Sequence, residues 1–259
     1  MKIIVNTVPL KKEKLKSFIP IFSKLKFNDI ELHFDHFFSN DYNIDDVLTL
    51  FKTNNINVLS MAGGWCDFFY DGNVKEKTFL SVAKQVGIMK KFDCTKLRLF
   101  FGRIPKDKYN SDVQKILINN LRELSDKYPD ITFIFETHDN ISVDYKILKP
   151  LLKQIKRKNI KINFDPANIE KEGYDSYQFL TEIREWIDHL HVKGLKSLKG
   201  KEIKDFFCSY GEGILSYDKI FKFLKATNYT GYLSIEFEGY GYPILELYNS
   251  KIKLEEDLR

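Results

Sequence analysis

At 259 residues, 43% of them hydrophobic, the chain is long enough to bury a large core without disulfides or a structural metal. No linker, internal repeat or low-complexity tract divides it, so one domain over residues 1–259 is expected. The net charge of +5 is a small surplus of 41 basic over 36 acidic residues spread along the chain, which reads as solvated helix faces and argues against a nucleic-acid footprint.

No stretch approaches the ~18 apolar residues of a membrane span. Cys66, Cys94 and Cys208 stand far apart with no C-x-x-C pair, which argues against a zinc knuckle or redox motif. With no signal-like leader, the odd cysteine count fits a cytoplasmic protein.

Short β-branched and aromatic runs alternate with longer amphipathic segments. Strands are expected at residues 3–8, 30–34, 56–61, 96–101, 131–136, 160–165, 187–192 and 232–237. Leu80, Ala83, Val86 and Met89 form a helical stripe after the third run. Ile116, Leu117, Leu121 and Leu124 repeat the pattern after the fourth, and Ile220, Phe221, Phe223 and Leu224 precede the eighth. Eight strand–helix units favour an α/β fold closed into a single (β/α)₈ TIM barrel. Asn6-Thr7-Val8-Pro9 stands where a dinucleotide-binding domain would carry its glycines.

Barrels of this kind place their active site at the C-terminal strand ends. The fifth strand ends in Glu136, the sixth in Asp165, the seventh carries His191, and the eighth ends in Glu236. Singly, each has a plain alternative as a helix cap or solvated loop residue; Asp165 before Pro166 is a natural turn or cap. Together, three carboxylates and an imidazole on four successive strands would repel one another unless a divalent cation joined them. The oxygen-rich set suits Mn²⁺, Mg²⁺ or Co²⁺ better than a structural Zn²⁺.

At these residues the sequence resembles the xylose-isomerase-like barrel superfamily, in its sugar-phosphate isomerase/epimerase branch. The marks are Ile30-Glu31-Leu32, Leu97-Arg98-Leu99-Phe100-Phe101-Gly102, Phe135-Glu136-Thr137-His138 and Phe164-Asp165-Pro166-Ala167-Asn168. They continue in His189-Leu190-His191-Val192-Lys193, Tyr210-Gly211-Glu212-Gly213-Ile214 and Gly231-Tyr232-Leu233-Ser234-Ile235-Glu236. The resemblance implies one divalent metal ion on Glu136, Asp165, His191 and Glu236, with manganese first among Mn²⁺, Mg²⁺, Co²⁺ and Zn²⁺. It implies that Glu136 and Glu236 double as an acid/base pair on opposite faces of a sugar or sugar phosphate. It places substrate contacts at His138, Asn168, Lys193, Arg98, Glu31 and Trp65. The implied activity is isomerisation or epimerisation through an enediolate, with one glutamate removing the proton next to a carbonyl. Three departures stand out. Asn168 replaces a substrate-binding His of several ketose epimerases, Gly194 replaces a frequent Asp, and Ser216 replaces another Asp, there with a capping role.

The remaining expectations are local. His189 is read as a buried, satisfied histidine facing the helices; His33 and His36 follow the second strand, and His33 is a lesser candidate for the mouth. Phe68, Phe69 and Tyr70 are a candidate wall or lid beside Trp65. A three-metal phosphodiesterase like endonuclease IV needs histidines on strands 3, 4 and 6 and after strand 7, whereas the fourth strand here ends Leu99-Phe100-Phe101-Gly102, the sixth offers Asn168, and three of the five histidines (His33, His36 and His189) stand elsewhere. A lyase or dehydratase on the same scaffold shares the enolate chemistry. A non-catalytic sugar-binding barrel is the non-enzymatic alternative, and it would need neither glutamate as a base. Expected partners are a small sugar and, as for many such barrels, a second copy of the chain, with no nucleic acid or membrane.

Overall fold

The computed structural model describes residues 1–38 and 43–259. The strands are β1 (Lys2–Asn6), β2 (Asp29–His33), β3 (Asn57–Ala62), β4 (Lys96–Leu99), β5 (Thr132–Glu136), β6 (Ile160–Phe164), β7 (Ile187–Val192), β8 (Gly194–Leu195), β9 (Phe207–Cys208) and β10 (Tyr232–Ile235). Eight of them close a barrel in the order β1-β10-β7-β6-β5-β4-β3-β2, and β8 and β9 form a separate antiparallel ribbon. The expected closed α/β barrel is therefore the observed fold. Among the described residues no helix is long and apolar enough to cross a membrane.

Several strands stop short of their apolar runs, for local reasons. β1 ends at Asn6, and Pro9 sits in a 3₁₀ turn at Val8–Leu10; proline lacks the N–H that a continuing ladder needs. β4 ends at Leu99. Phe100 then stacks on Trp65 at 4.1 Å and Phe101 on Phe135 at 4.5 Å. The helix Gly72–Met89 buries Phe79, Val82, Val86 and Met89, whereas Leu80 is 60% exposed. Val86 and Met89 are thus buried as expected, while Phe79 and Val82 take the places expected of Leu80 and Ala83, one residue earlier on the same helical period. In helix Ser111–Lys127 the buried face takes Ile118 with Leu117, Leu121 and Leu124, and leaves Ile116 half-buried.

The chain divides into two compact units, residues 1–62 with 189–259, and residues 63–188. In the first, parallel register aligns Asn6 with Glu31, Glu31 with Ser60, Ile4 with Ser234, and Ser234 with His191. Side chains alternate along a strand, so Asn6, Glu31, Ser60, His189, His191 and Ser234 share one face. The opposite face is Val5, Ile30, Leu32, Met61, Leu190, Leu233 and Ile235, all buried. This corrects the expectation for His189: residues two apart on a strand point the same way, so His189 and His191 face together.

The second unit repeats the division. Arg98 aligns with Ile134, and Glu136 with Asn163, on one face. Leu97, Leu99, Phe133, Phe135, Ile162 and Phe164 occupy the other. That apolar face meets the helical layer: Phe164 stacks on Phe179 of helix Ser176–Ile183, and Phe135 meets Phe68 edge-on. Phe68 and Phe69 are buried, and Asn120 Nδ2 donates to the carbonyls of Phe68 and Tyr70. This segment is core rather than a mobile lid, with only Tyr70 exposed. The strands thus keep an apolar face toward the helices and a mostly polar one, with Ile4 and Ile134 among it, toward the barrel interior, where branched aliphatics usually dominate.

His33 is buried, its Nδ1 accepting the Asp35 N–H at 3.2 Å, and His36 is a packing residue. His36 is buried beside Phe18, its Nε2 is 3.2 Å from Thr7 Oγ1, and burial pulls it down to about 4. A histidine held neutral in the fold binds a proton more readily when unfolded, so stability falls as pH drops from about 6.5 toward 4. The loss should reach roughly 3 kcal/mol at the lower end of that window. His36→Phe, measured by urea unfolding across that range, should flatten the acid slope. An unchanged slope would assign the acid sensitivity elsewhere.

Candidate metal and substrate site

Glu136 is the last residue of β5 and is 4% exposed. Its Oε2 lies 3.2 Å from Arg98 Nε, and its Oε1 accepts from Asn168 Nδ2 at 3.2 Å. Asp165 follows β6 and caps the helix Pro166–Lys171, its Oδ1 accepting the Asn168 N–H at 3.0 Å. Its Oδ2 accepts from Asn168 Nδ2 at 2.9 Å. The plain capping role and a place in the site therefore coexist in one side chain: a carboxylate has a second oxygen after the cap is made. Thr137 fixes the turn, since its Oγ1 accepts the Asp165 N–H at 2.8 Å. Asn168 is thus a clamp across Glu136 and Asp165, a role its side-chain amide supplies without charge.

Outside that clamp lies an aromatic–cation stack. Arg103 sits 4.2 Å over the Trp65 ring, Trp65 stacks on Phe100, and Arg98 sits 4.7 Å from the other aromatic centroid, that of Phe100. His138 meets both rings edge-on, at 5.5 and 5.2 Å, and its Nδ1 is 3.4 Å from Asp139. Cation–π contacts of this kind hold a guanidinium in place without spending its N–H groups. Trp65 remains 47% exposed, whereas Arg98 is 2% exposed. A small cavity lined by Phe69, Phe100, Glu136 and His138 opens beside the stack.

In the other unit, His191 is fully buried on β7, with Nδ1 3.3 Å from Glu236 Oε2 and Nε2 3.1 Å from Glu31 Oε2. Glu236, just past β10, accepts from Lys193 Nζ at 2.8 Å and from Asn6 Nδ2 at 3.3 Å. Burial alone would raise its carboxyl, but His191 and Lys193 more than offset this and hold it well below the usual range. Lys193 is itself fully buried, reaches Glu238 at 2.5 Å, and lies 4.2 Å over the Phe207 ring. Tyr217 fixes its backbone, accepting from the Lys193 N–H and donating to its carbonyl. Nothing larger than glycine fits at Gly194: a Cβ there would stand 2.3 Å from the Ser209 carbonyl and 2.6 Å from Cys208 Sγ.

Glu31, expected as a substrate contact, is 0% exposed, and its Oε2 is occupied by side chains from β1, β7 and β10. Burial opposes its ionisation, but His189 and His191 beside it hold the carboxyl well below its ordinary value. Asn6, Ser234 and Glu238 were not singled out in the sequence. Asn6 and Ser234 share the strand face of Glu31 and His191, a signal that period-two alternation carries once register is known.

Among the described residues, two groups of acids and histidines could hold a metal ion: Glu136, Asp165, His191 and Glu236, all buried, and Glu31, His189 and His191. Within each group one ligand atom per residue lies within 4.8 Å of the others. The first is the set expected from the strand ends.

A family model for a xylose isomerase-like TIM barrel matches residues 21–258. The chain is 26% identical over 181 residues to a 3-dehydroshikimate dehydratase of Bacillus anthracis; the match spans 64% of each chain, so just under two thirds of that relative's length is covered. The structure of a D-tagatose 3-epimerase-like protein superposes with a TM-score of 0.81 at 20% identity, covering 100% of this chain and 97% of that one. A structure described as IOLI protein with a binding zinc atom gives 0.79 at 18% identity, over 100% and 98% of the two chains.

The Asn168 clamp yields a stability test. Asn168→Asp adds a third buried carboxylate beside Glu136 and Asp165 and removes the amide donor. Without added metal, the melting temperature should fall by roughly 5–10 °C, and calorimetry with and without millimolar Mn²⁺ should show part of that loss restored by the ion. A melting temperature equal to wild type in both conditions would show that the clamp carries no strain.

Proposed function

We propose that this chain, which belongs to the xylose isomerase-like TIM barrel family, is a divalent-metal-dependent enzyme that removes a proton next to the carbonyl of a sugar-like hydroxyketone. The observation that carries this reading is the group of Glu136, Asp165, His191 and Glu236. The donor set fits a dication. Glu136, Asp165, His191 and Glu236 are all buried, and gathering three carboxylates out of water is costly unless donors or a cation replace their hydration. Three carboxylates and one imidazole suit Mn²⁺, Mg²⁺ or Co²⁺. Bound there, such an ion would act as a Lewis acid toward a carbonyl and a neighbouring hydroxyl oxygen, lowering the barrier to proton loss at the adjacent carbon.

The protein's own residues supply the rest. Glu136 and Glu236 are the candidate bases, each held in one rotamer by a cation and an amide: Arg98 and Asn168 for the first, Lys193 and Asn6 for the second. His138, Trp65 and Phe100 offer an aromatic wall with one polar edge, suited to a ring that is apolar on one face and hydroxylated at its rim. The small-molecule substrate enters against that wall.

The fate of the carbanion after proton removal separates two readings. In an isomerase or epimerase the second glutamate returns a proton to carbon. In a dehydratase a hydroxyl on the next carbon leaves as water, and a double bond forms. The similarity to a 3-dehydroshikimate dehydratase favours the second. The epimerase-like neighbour supports the first.

Two measurements test this reading. Protein supplemented with Mn²⁺ and desalted should retain about one ion per chain, and Asp165→Ala should lose it; three ions would point to a phosphodiesterase instead. Incubated with a panel of ketoses and cyclic hydroxyketones in D₂O, the wild type should exchange deuterium or release water. Glu136→Gln and Glu236→Gln should each slow that by at least about 100-fold. Water release would assign the dehydratase reading and exchange alone the epimerase reading. Unchanged rates in both variants would sink the glutamate roles.

A further inference from the structure

One oxygen of one buried carboxylate gathers four donors. Glu31 Oε2 lies 2.7 Å from Ser234 Oγ, 3.1 Å from His189 Nε2, 3.1 Å from His191 Nε2 and 3.2 Å from Asn6 Nδ2. All five residues are 0% exposed and sit on one face of β1, β2, β7 and β10. The orientation of the Asn6 amide is set independently, because its Oδ1 accepts the Val8 N–H at 2.7 Å. That turns Nδ2 toward Glu31 and Glu236. An oxygen ringed by an amide N–H, a hydroxyl and two ring nitrogens serves as an acceptor only. A neutral histidine carries a single ring proton, and a 3.1 Å contact from Nε2 to such an oxygen is a hydrogen bond only when that proton is on Nε2. The lone pair of His191 is then on Nδ1, the atom that faces Glu236 at 3.3 Å.

We propose that Glu31 is a positioning residue for metal binding: it fixes His191 in the tautomer with hydrogen on Nε2 and so presents the Nδ1 lone pair to the ion. The inference rests on the reading that Glu136, Asp165, His191 and Glu236 bind one divalent ion. Metal-bound histidines commonly donate their other N–H to a carboxylate, which fixes the ring and raises its basicity. Glu31 does this from a neighbouring position in the barrel, and its own geometry is held by Ser234, His189 and Asn6. His189 is then a support for Glu31 and not a ligand. The second group of potential ligands, Glu31 with His189 and His191, does not take an ion of its own. The Asn6 NH₂, 3.2 Å from Glu31 Oε2 and 3.5 Å from His191 Nε2, turns hydrogens toward that space, and a cation would repel them.

The test uses the wild-type protein first. Zn²⁺-loaded, ¹⁵N-labelled protein, with histidines assigned from single-site variants, should show His191 protonated at Nε2 and unprotonated at Nδ1 in long-range ¹H–¹⁵N ring spectra. A proton on Nδ1, or two ions bound per chain, would overturn the proposal. Zn²⁺ affinity, measured by competition with a chromophoric chelator, should then fall about 10–100-fold in Glu31→Gln. Asp165→Ala serves as the control on the underlying reading. If the wild type binds no ion, or Asp165→Ala binds it equally well, the metal reading fails. If Asp165→Ala loses the ion and a folded Glu31→Gln binds it like wild type, only the role of Glu31 fails. Should Glu31→Gln not fold, the ring spectra of the wild type decide alone.

Discussion

Glu31, Glu136, Asp165 and Glu236 are each no more than 4% exposed, and an ionised carboxylate removed from water costs several kcal/mol unless donors or cations replace its hydration. The polar architecture of the strand ends is organised around that constraint. Glu136 takes Arg98 and Asn168; Asp165 takes the amide and backbone of Asn168. Glu236 takes Lys193 and Asn6, and Glu31 takes Ser234, Asn6 and two histidines. Asparagine recurs because it donates without adding charge, so it can bridge two acids where a lysine would neutralise them. Arg98 and Lys193 are in turn held by aromatic faces, Phe100 and Phe207, which anchor a cation while leaving its N–H groups for carboxylates.

The constraint also explains the unusual face of the barrel strands. Strand alternation gives each strand one apolar face, and the helices cover it. The remaining face has to carry Asn6, Glu31, Ser60, Arg98, Asn163, His189 and Ser234. A barrel filled with branched aliphatics would be simpler to pack but would offer no donors to the carboxylates at its C-terminal rim. Polar filling therefore belongs to the site as much as to the fold, and core stability is borne by the phenylalanine-rich layer between strands and helices.

Much of this was legible in the sequence. Eight runs of β-branched and aromatic residues pointed to the barrel, and the acids and histidine closing its last four strands pointed to the metal group, because strand order and a common rim follow from topology alone. Two kinds of information were not legible. Register decides which residues stand side by side, so the convergence of Asn6, Ser234 and His189 on Glu31 could not be seen in residues separated by up to 203 positions. Helical phase decides which apolar residues are buried, and Phe79 and Leu80, adjacent in sequence, differ entirely in exposure. His189 could have been placed correctly, since period two already puts it on the face of His191.

The partners of the two glutamates bear on how any reaction would run. A carboxylate held by a lysine ammonium or a guanidinium is a weaker base than a free one, and proton removal from carbon is hard even for strong bases. Glu136 and Glu236 have such partners at 3.2 and 2.8 Å. Used alone they would be poor catalysts for carbon acids. The arrangement becomes sensible if the substrate, and not the base, is activated, with its carbonyl polarised by a cation in the same group of ligands. Arg98 and Lys193 then serve a different purpose, holding both glutamates in one rotamer before substrate arrives. Preorganisation of that kind reduces the reorganisation needed during reaction. It sacrifices basicity for fixed geometry, a trade that favours the reaction only when the metal supplies the acidity.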